Sequence, residues 1–175
     1  MYQKGEIIVY GNTGVCKVED IGVPAISGVD QSKRYYTLDP VFESGKIYIP
    51  IDSKAFMRSI ITKEEAIDLI HRIPEIREEI IDNKNLNLLK EHYKTSLENY
   101  NCDDLIQIIK TVSVKDQMAQ DKGKKLGQVD KFYMKKAEEM LYGEFSIAFN
   151  MPKDDVKAFI AKKVIHDKNL LNAIN

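Results

Sequence analysis

The sequence predicts an α+β fold: a small antiparallel β-barrel over residues 1–60, then a compact all-α domain over 61–175. Three observations carry this. Apolar residues in the first third recur at a spacing of two, and later ones at three and four, the periods of strand and helix. Turn residues punctuate the first third at short intervals. Thr62-Lys63-Glu64-Glu65, a capping box, marks the change: a hydroxyl and a carboxylate three apart satisfy free backbone donors reciprocally.

The run YQKGEIIVYGNTGVCKVE, residues 2–19, reads as two short strands and a tight turn. Ile7, Val9 and Val15 alternate with other residues. Gly11-Asn12-Thr13-Gly14 tolerates the positive φ of a hairpin turn, and Gly5 and Gly14 serve bends. Pro24 lacks a ladder donor, so residues 22–28 form a loop or an edge. A third strand spans 33–38 and a fourth 46–50, joined by a loop with Asp39-Pro40 and Ser44-Gly45. Four or five such strands make a strongly curved sheet or barrel.

The capping box starts a short helix to about 72. Pro74 starts another running to 81, and Asn83-Lys84-Asn85 breaks it. A helix from about 85 to 100 places Leu86, Leu89, Tyr93, Leu97 and Tyr100 on one face, with Lys90, Glu91, Lys94 and Glu98 off it. Asn101-Cys102-Asp103 caps the next, over 104–120, with Leu105, Ile108, Ile109 and Val112 inward. A basic loop, 121–125, feeds a long helix over 126–149 striped by Leu126, Val129, Tyr133, Ala137, Leu141, Phe145 and Ala148. The chain breaks at 150–155 and ends in a helix to about 163, carrying Val156, Phe159 and Ile160, with a final turn from His166.

Composition narrows the function classes. No apolar run approaches the roughly 20 residues of a membrane span. The start MYQKGEIIVY has no basic region followed by an apolar one, so no signal peptide is visible. Cys16 and Cys102 lie far apart and suit a reducing cytoplasm. The expected location is cytoplasmic. His71, His92 and His166 are isolated, without metal-ligand spacing. The glycine turns lack the Gly-Lys-Ser/Thr of a phosphate loop, and no Gly-x-Ser-x-Gly occurs. The expectation is a protein that is not an enzyme and needs no cofactor and no metal.

Charge is segregated. Residues 72–104 hold five basic and eight acidic side chains, a net of −3. Residues 110–136 hold eight lysines and three aspartates, a net of +5. Lys122, Lys124 and Lys125 sit in the loop, while Lys131 and Lys135 are one turn apart on the long helix. Such a cluster engages several phosphates, or is simply a solvated helical face; the residues alone leave both readings open.

Several motifs in order resemble the CarD/CdnL family of bacterial transcription regulators, whose N-terminal module is related to one in the transcription-repair coupling factor. They are Gly5-Glu6-Ile7-Ile8-Val9-Tyr10, Gly14-Val15 and Val18, Tyr35-Tyr36-Thr37-Leu38, and Lys46-Ile47-Tyr48-Ile49-Pro50. The resemblance implies a Tudor-like barrel, residues 1–60, that binds the RNA polymerase β subunit through Lys46, Ile47, Tyr48 and Ile49 by edge-to-edge strand pairing. Ile47 and Ile49 read equally as core, with only the alternate residues facing out. Tyr48 stands where many relatives carry arginine.

It also implies that the helical domain, 61–175, contacts promoter DNA through backbone and minor groove, without sequence specificity, and stabilises the open promoter complex. Leu89 aligns with a tryptophan that wedges into DNA in some members, but shares the apolar stripe; Leu88, off that stripe, is the better exposed candidate. Glu91 replaces a basic residue, whereas Lys94 and Lys131 fall on basic positions. Lys122, Lys124, Lys125 and Lys135 join them as DNA-contact candidates. The expected protein is a monomer with no membrane partner. The alternative is a module that docks on RNA polymerase without binding DNA and recruits another protein.

Overall fold

The computed structural model describes residues 1–81 and 85–174, with backbone alone over 166–174. The chain divides into two compact units, Met1–Ile60 and Ile61–Asn175. The first holds five antiparallel strands, β1 (Ile7–Tyr10), β2 (Gly14–Gly22), β3 (Tyr35–Pro40), β4 (Ile47–Pro50) and β5 (Met57–Ser59), in the order β4-β3-β2-β1-β5. A single 3-10 turn over Gly11–Thr13 links β1 to β2, and Gly14 follows at φ 81°, a conformation that favours glycine.

β5 is too short to show in the sequence pattern, yet it pairs β1 on the side away from β2. Neighbours Ile8 and Val9 are both buried, so β1, which lies between β2 and β5, is covered on both faces. The simple alternation at Ile7 and Val9 therefore misses Ile8, which packs with Cys16, Val18, Tyr36 and Leu38. Burial pushes the Cys16 thiol up to about 11, which keeps it protonated and unreactive.

β3 lies two residues later than expected, and Asp39-Pro40 belongs to the strand. Val41 N–H donates to Val15 O at 3.0 Å, so the adjacent Cys16/Pro40 pair is a non-hydrogen-bonded one. Proline there loses no ladder bond. The register shifts between Val18 and Asp20, leaving Glu19 as a bulge. The expected closed barrel is instead an open sheet. Its edges, β4 and β5, run four and three residues, too few to zip together.

The second unit holds α1 (Lys63–Arg72), α2 (Leu86–Glu98), α3 (Cys102–Asp121), α4 (Gln128–Phe149) and α5 (Lys153–Ile174). Both arms of the α1 capping box are formed: Glu65 N–H donates to Thr62 Oγ1 at 3.1 Å, and Thr62 N–H to Glu65 Oε2 at 2.8 Å. Hydrogen bonds from the Thr62 backbone, then its side chain, hold the Glu65 carboxyl below its ordinary range. The carboxylate arm is therefore complete above the ordinary glutamate value and is lost as pH falls through the lowered one.

The helix expected from Pro74 to Ile81 does not form. One 3-10 turn, Ile73–Glu75, gives way to extended backbone at Ile76. Side chains of α3 take the groups a helix would pair internally. Lys110 Nζ donates to Ile73 O at 2.9 Å and to Ile76 O, and Gln107 Nε2 to Arg77 O at 3.1 Å. Glu79 N–H donates to Thr111 Oγ1 at 2.9 Å. Of the break at Asn83-Lys84-Asn85, Asn83 and Lys84 lie outside the described residues, and Asn85 caps α2.

Leu89, Tyr93, Leu97, Leu105, Ile108, Val112, Leu141 and Phe145 form the helical core. Leu86, a turn ahead of the buried stripe, is exposed instead. α5 runs well past 163, because no glycine or proline follows Lys153 to end it; the His166 side chain lies outside the described residues. Within this core, Asp130 accepts from the Tyr93 hydroxyl at 2.7 Å and from Lys115 Nζ at 2.5 Å. Burial, then the bond to Asp130, holds the Tyr93 phenol well above its ordinary range, so it stays a donor.

Two changes test these contacts. Thr62→Ala is expected to lower the unfolding free energy by about 1 kcal/mol in urea titration. Lys115→Met strands the buried Asp130 carboxylate and is expected to cost about 3–5 kcal/mol by the same measurement, whereas Lys124→Met changes stability by less than about 0.5 kcal/mol.

Candidate functional site

The sheet has two ladder edges, β4 and β5, and the expected contact residues fall on β4. Ile51 N–H donates to Arg34 O at 3.0 Å, which fixes the phase of the β3–β4 ladder. Ile49 and Ile47 then exchange bonds with Tyr36 and Leu38, and Tyr48 opposes Thr37 without bonds. The N–H and C=O of Tyr48 and the C=O of Pro50 consequently point away from the sheet. That row is unpaired within the sheet, and Pro50 adds no donor to it.

The four β4 candidates divide. Ile49 is buried, and Ile47 is half-buried against the sheet core. Tyr48 is half-buried, and Lys46 lies exposed just ahead of the strand. Lys46 Nζ bonds the carboxylate of Glu19, the bulge residue, and that bond holds its ammonium above the ordinary range. The pair is exposed on both sides, so it orients Lys46 more than it stabilises the fold.

In the helical unit, Leu88 is 59% exposed and Leu89 is 1% exposed in the core. Lys94 is exposed and pairs Glu98 at 3.7 Å; Lys135 is exposed and pairs Glu139 at 3.8 Å. Lys122 ends α3, and Gly123 at φ 64° turns the chain, leaving Lys124 and Lys125 exposed before α4. Lys131 is exposed on the first turn of α4. Among the described residues, Lys122, Lys124, Lys125 and Lys131 make no ion pair. Two lysines of the sequence cluster turn inward: Lys110 to Glu78 at 3.2 Å, and Lys115 to Asp130. Lys110 ties α3 to the 73–78 segment, and Lys115 ties α3 to α4.

Sequence reasoning missed a cleft of about 220 Å³ between α2 and α4, lined by Lys90, Gln128, Val129, Phe132 and Tyr133. Phe132 is 60% exposed. Its ring meets Tyr133 edge-on, centroids 5.1 Å apart, and Tyr133 in turn leans on Tyr93 at 5.1 Å. The available signal was an aromatic residue off the apolar stripe, beside a tyrosine on it. Among the described residues, no group of three or more His, Cys, Asp or Glu is placed to hold a metal ion, and no helix is long and apolar enough to cross a membrane.

No curated protein matches the chain. Residues 2–61 match the family model of the CarD-like/TRCF RID domain, a span that takes in all five strands and stops before α1. The sheet with the open β4 edge is thus the part of the chain that is similar to this domain.

Proposed function

We propose that this protein is a transcription regulator whose sheet unit docks on the β subunit of RNA polymerase by strand addition along β4. The observation that supports this most is the outward row of Tyr48 and Pro50 backbone groups in a unit similar to the RID domain. Main-chain bonds supply the affinity, and Lys46 and Tyr48 supply the accessible side chains. The curvature of the sheet is read as Tudor-like.

The helical unit then meets promoter DNA with Lys122, Lys124, Lys125 and Lys131. Lysine is a point charge without a planar fork, so it positions a backbone and reads no sequence. Tethering to polymerase raises the local concentration enough for weak contacts to count. Contacts that favour the opened promoter over the closed one shift that equilibrium toward the open state. The role asks for no catalytic step, cofactor or metal, and places the protein in the cytoplasm of a bacterium, as a monomer.

The test is co-elution with RNA polymerase. Tyr48→Pro removes an amide that points away from β3, so the sheet ladder survives while the edge is blocked. Lys46→Glu reverses the flanking charge. Wild type is expected to co-elute, Tyr48→Pro to be lost from the complex, and Lys46→Glu to be weakened, all with unchanged circular dichroism. Undiminished co-elution of a folded Tyr48→Pro variant contradicts docking through β4.

A further inference from the structure

We propose that the cleft between α2 and α4 seats one unpaired nucleobase, with Phe132 stacking on the base and Lys90 and Lys131 holding the flanking phosphates. This rests on the reading of the helical unit as a DNA contact and adds to it a strand type and an atomic seat.

Phe132 is a large ring left 60% exposed on a helix whose other face is buried. It is not loosely held. It rests on Tyr133, Tyr133 rests on Tyr93, and the Tyr93 hydroxyl is fixed to buried Asp130. A ring held in this way is preorganised, so little side-chain freedom is lost on binding. Val129 and Tyr133 add apolar wall, while Lys90 and Gln128 bring charge and an amide to the same cleft. An amide offers both donor and acceptor to a base edge.

The charge around the cleft selects the occupant. Lys90 lines it, Lys131 adjoins Phe132 in sequence, and Lys135 and Lys136 follow one turn on. Among the described residues, Lys90 and Lys131 have no carboxylate partner. Glu91, the neighbouring acid, does not line the cleft. An apolar protein side chain would fill the cleft without using these cations, whereas a nucleotide uses both the ring and the charges. Aromatic stacking beside a cationic track is how single strands are held without sequence preference. Bases within a duplex are stacked on each other and expose only edges, so the seat suits an unpaired base.

The test is a low-salt titration of the full-length protein, followed by amide NMR shifts, which read weak binding. The probes are a short thymidine single strand and a fully paired, blunt-ended duplex. The single strand is expected to shift Lys90 and residues 128–133. Phe132→Ala is expected to weaken it about tenfold, the scale of one lost base stack, and to leave the duplex unaffected. Phe132→Tyr is expected to retain wild-type affinity, and Phe132→Leu to bind like Phe132→Ala. Single-strand binding indifferent to Phe132→Ala, or restored by leucine, overturns the base seat. If the duplex still shifts the 122–125 loop in that case, the lysine contact with DNA stands alone. If neither probe shifts any amide, the DNA reading fails and the base seat falls with it.

Discussion

The buried pair of Lys115 and Asp130, closed by the Tyr93 hydroxyl, is the contact on which the helical unit depends. It ties α3, α4 and α2 together at one point. A buried ion pair is a weak source of net stability compared with well-packed apolar residues. Its effect is positional, because removing either partner leaves a charge in the core. With Asp130 held inward, the first turn of α4 has one settled rotation, and Lys131 and Phe132 lie outward while Val129 and Tyr133 border the core. With Tyr93 held, Leu89 and Leu97 follow it inward on α2, and Leu88 and Lys90 remain outside.

A different constraint governs the sheet unit. Five strands, most of them short, share one small core, and the ladder stays open. An open edge invites unwanted pairing, and proteins limit it with short strands, proline and charge. β4 has all three: four residues, Pro50 at its end and Lys46 before its start. What remains is a window of three outward backbone groups, enough to recognise an extended segment and too short to zip chains into aggregates. The same economy appears at Pro40, which stands where no ladder bond is required.

Much of this was legible in the sequence wherever the determinant is local. Thr62 and Glu65 are three residues apart, and their reciprocal cap forms as the spacing implies. The Leu89, Tyr93 and Leu97 stripe is buried, and Leu88, one position off it, is exposed. Distant partners were not legible. Residues 76–81 have helical composition but form no helix, their backbone groups at 76, 77 and 79 being taken by Lys110, Gln107 and Thr111, about thirty residues away. Lys110 and Lys115 look like members of a basic surface, and only the fold shows them turned to Glu78 and Asp130. β5 has three residues, below the length at which a period can be read, and Phe132 gains meaning only from the helix facing it.

The central claim is that one edge of the sheet recognises polymerase while a separate face of the helical unit recognises DNA. Amide hydrogen exchange addresses both in one experiment, on the full chain alone, with RNA polymerase, and with polymerase and an opened promoter. The account predicts that the Tyr48 amide, which has no partner within the sheet ladder, slows as soon as polymerase is added. It predicts that residues 86–94 and 122–136 slow only when DNA is also present. Slowing in the helical segments with polymerase alone, while the β4 edge exchanges as in the free protein, would contradict it.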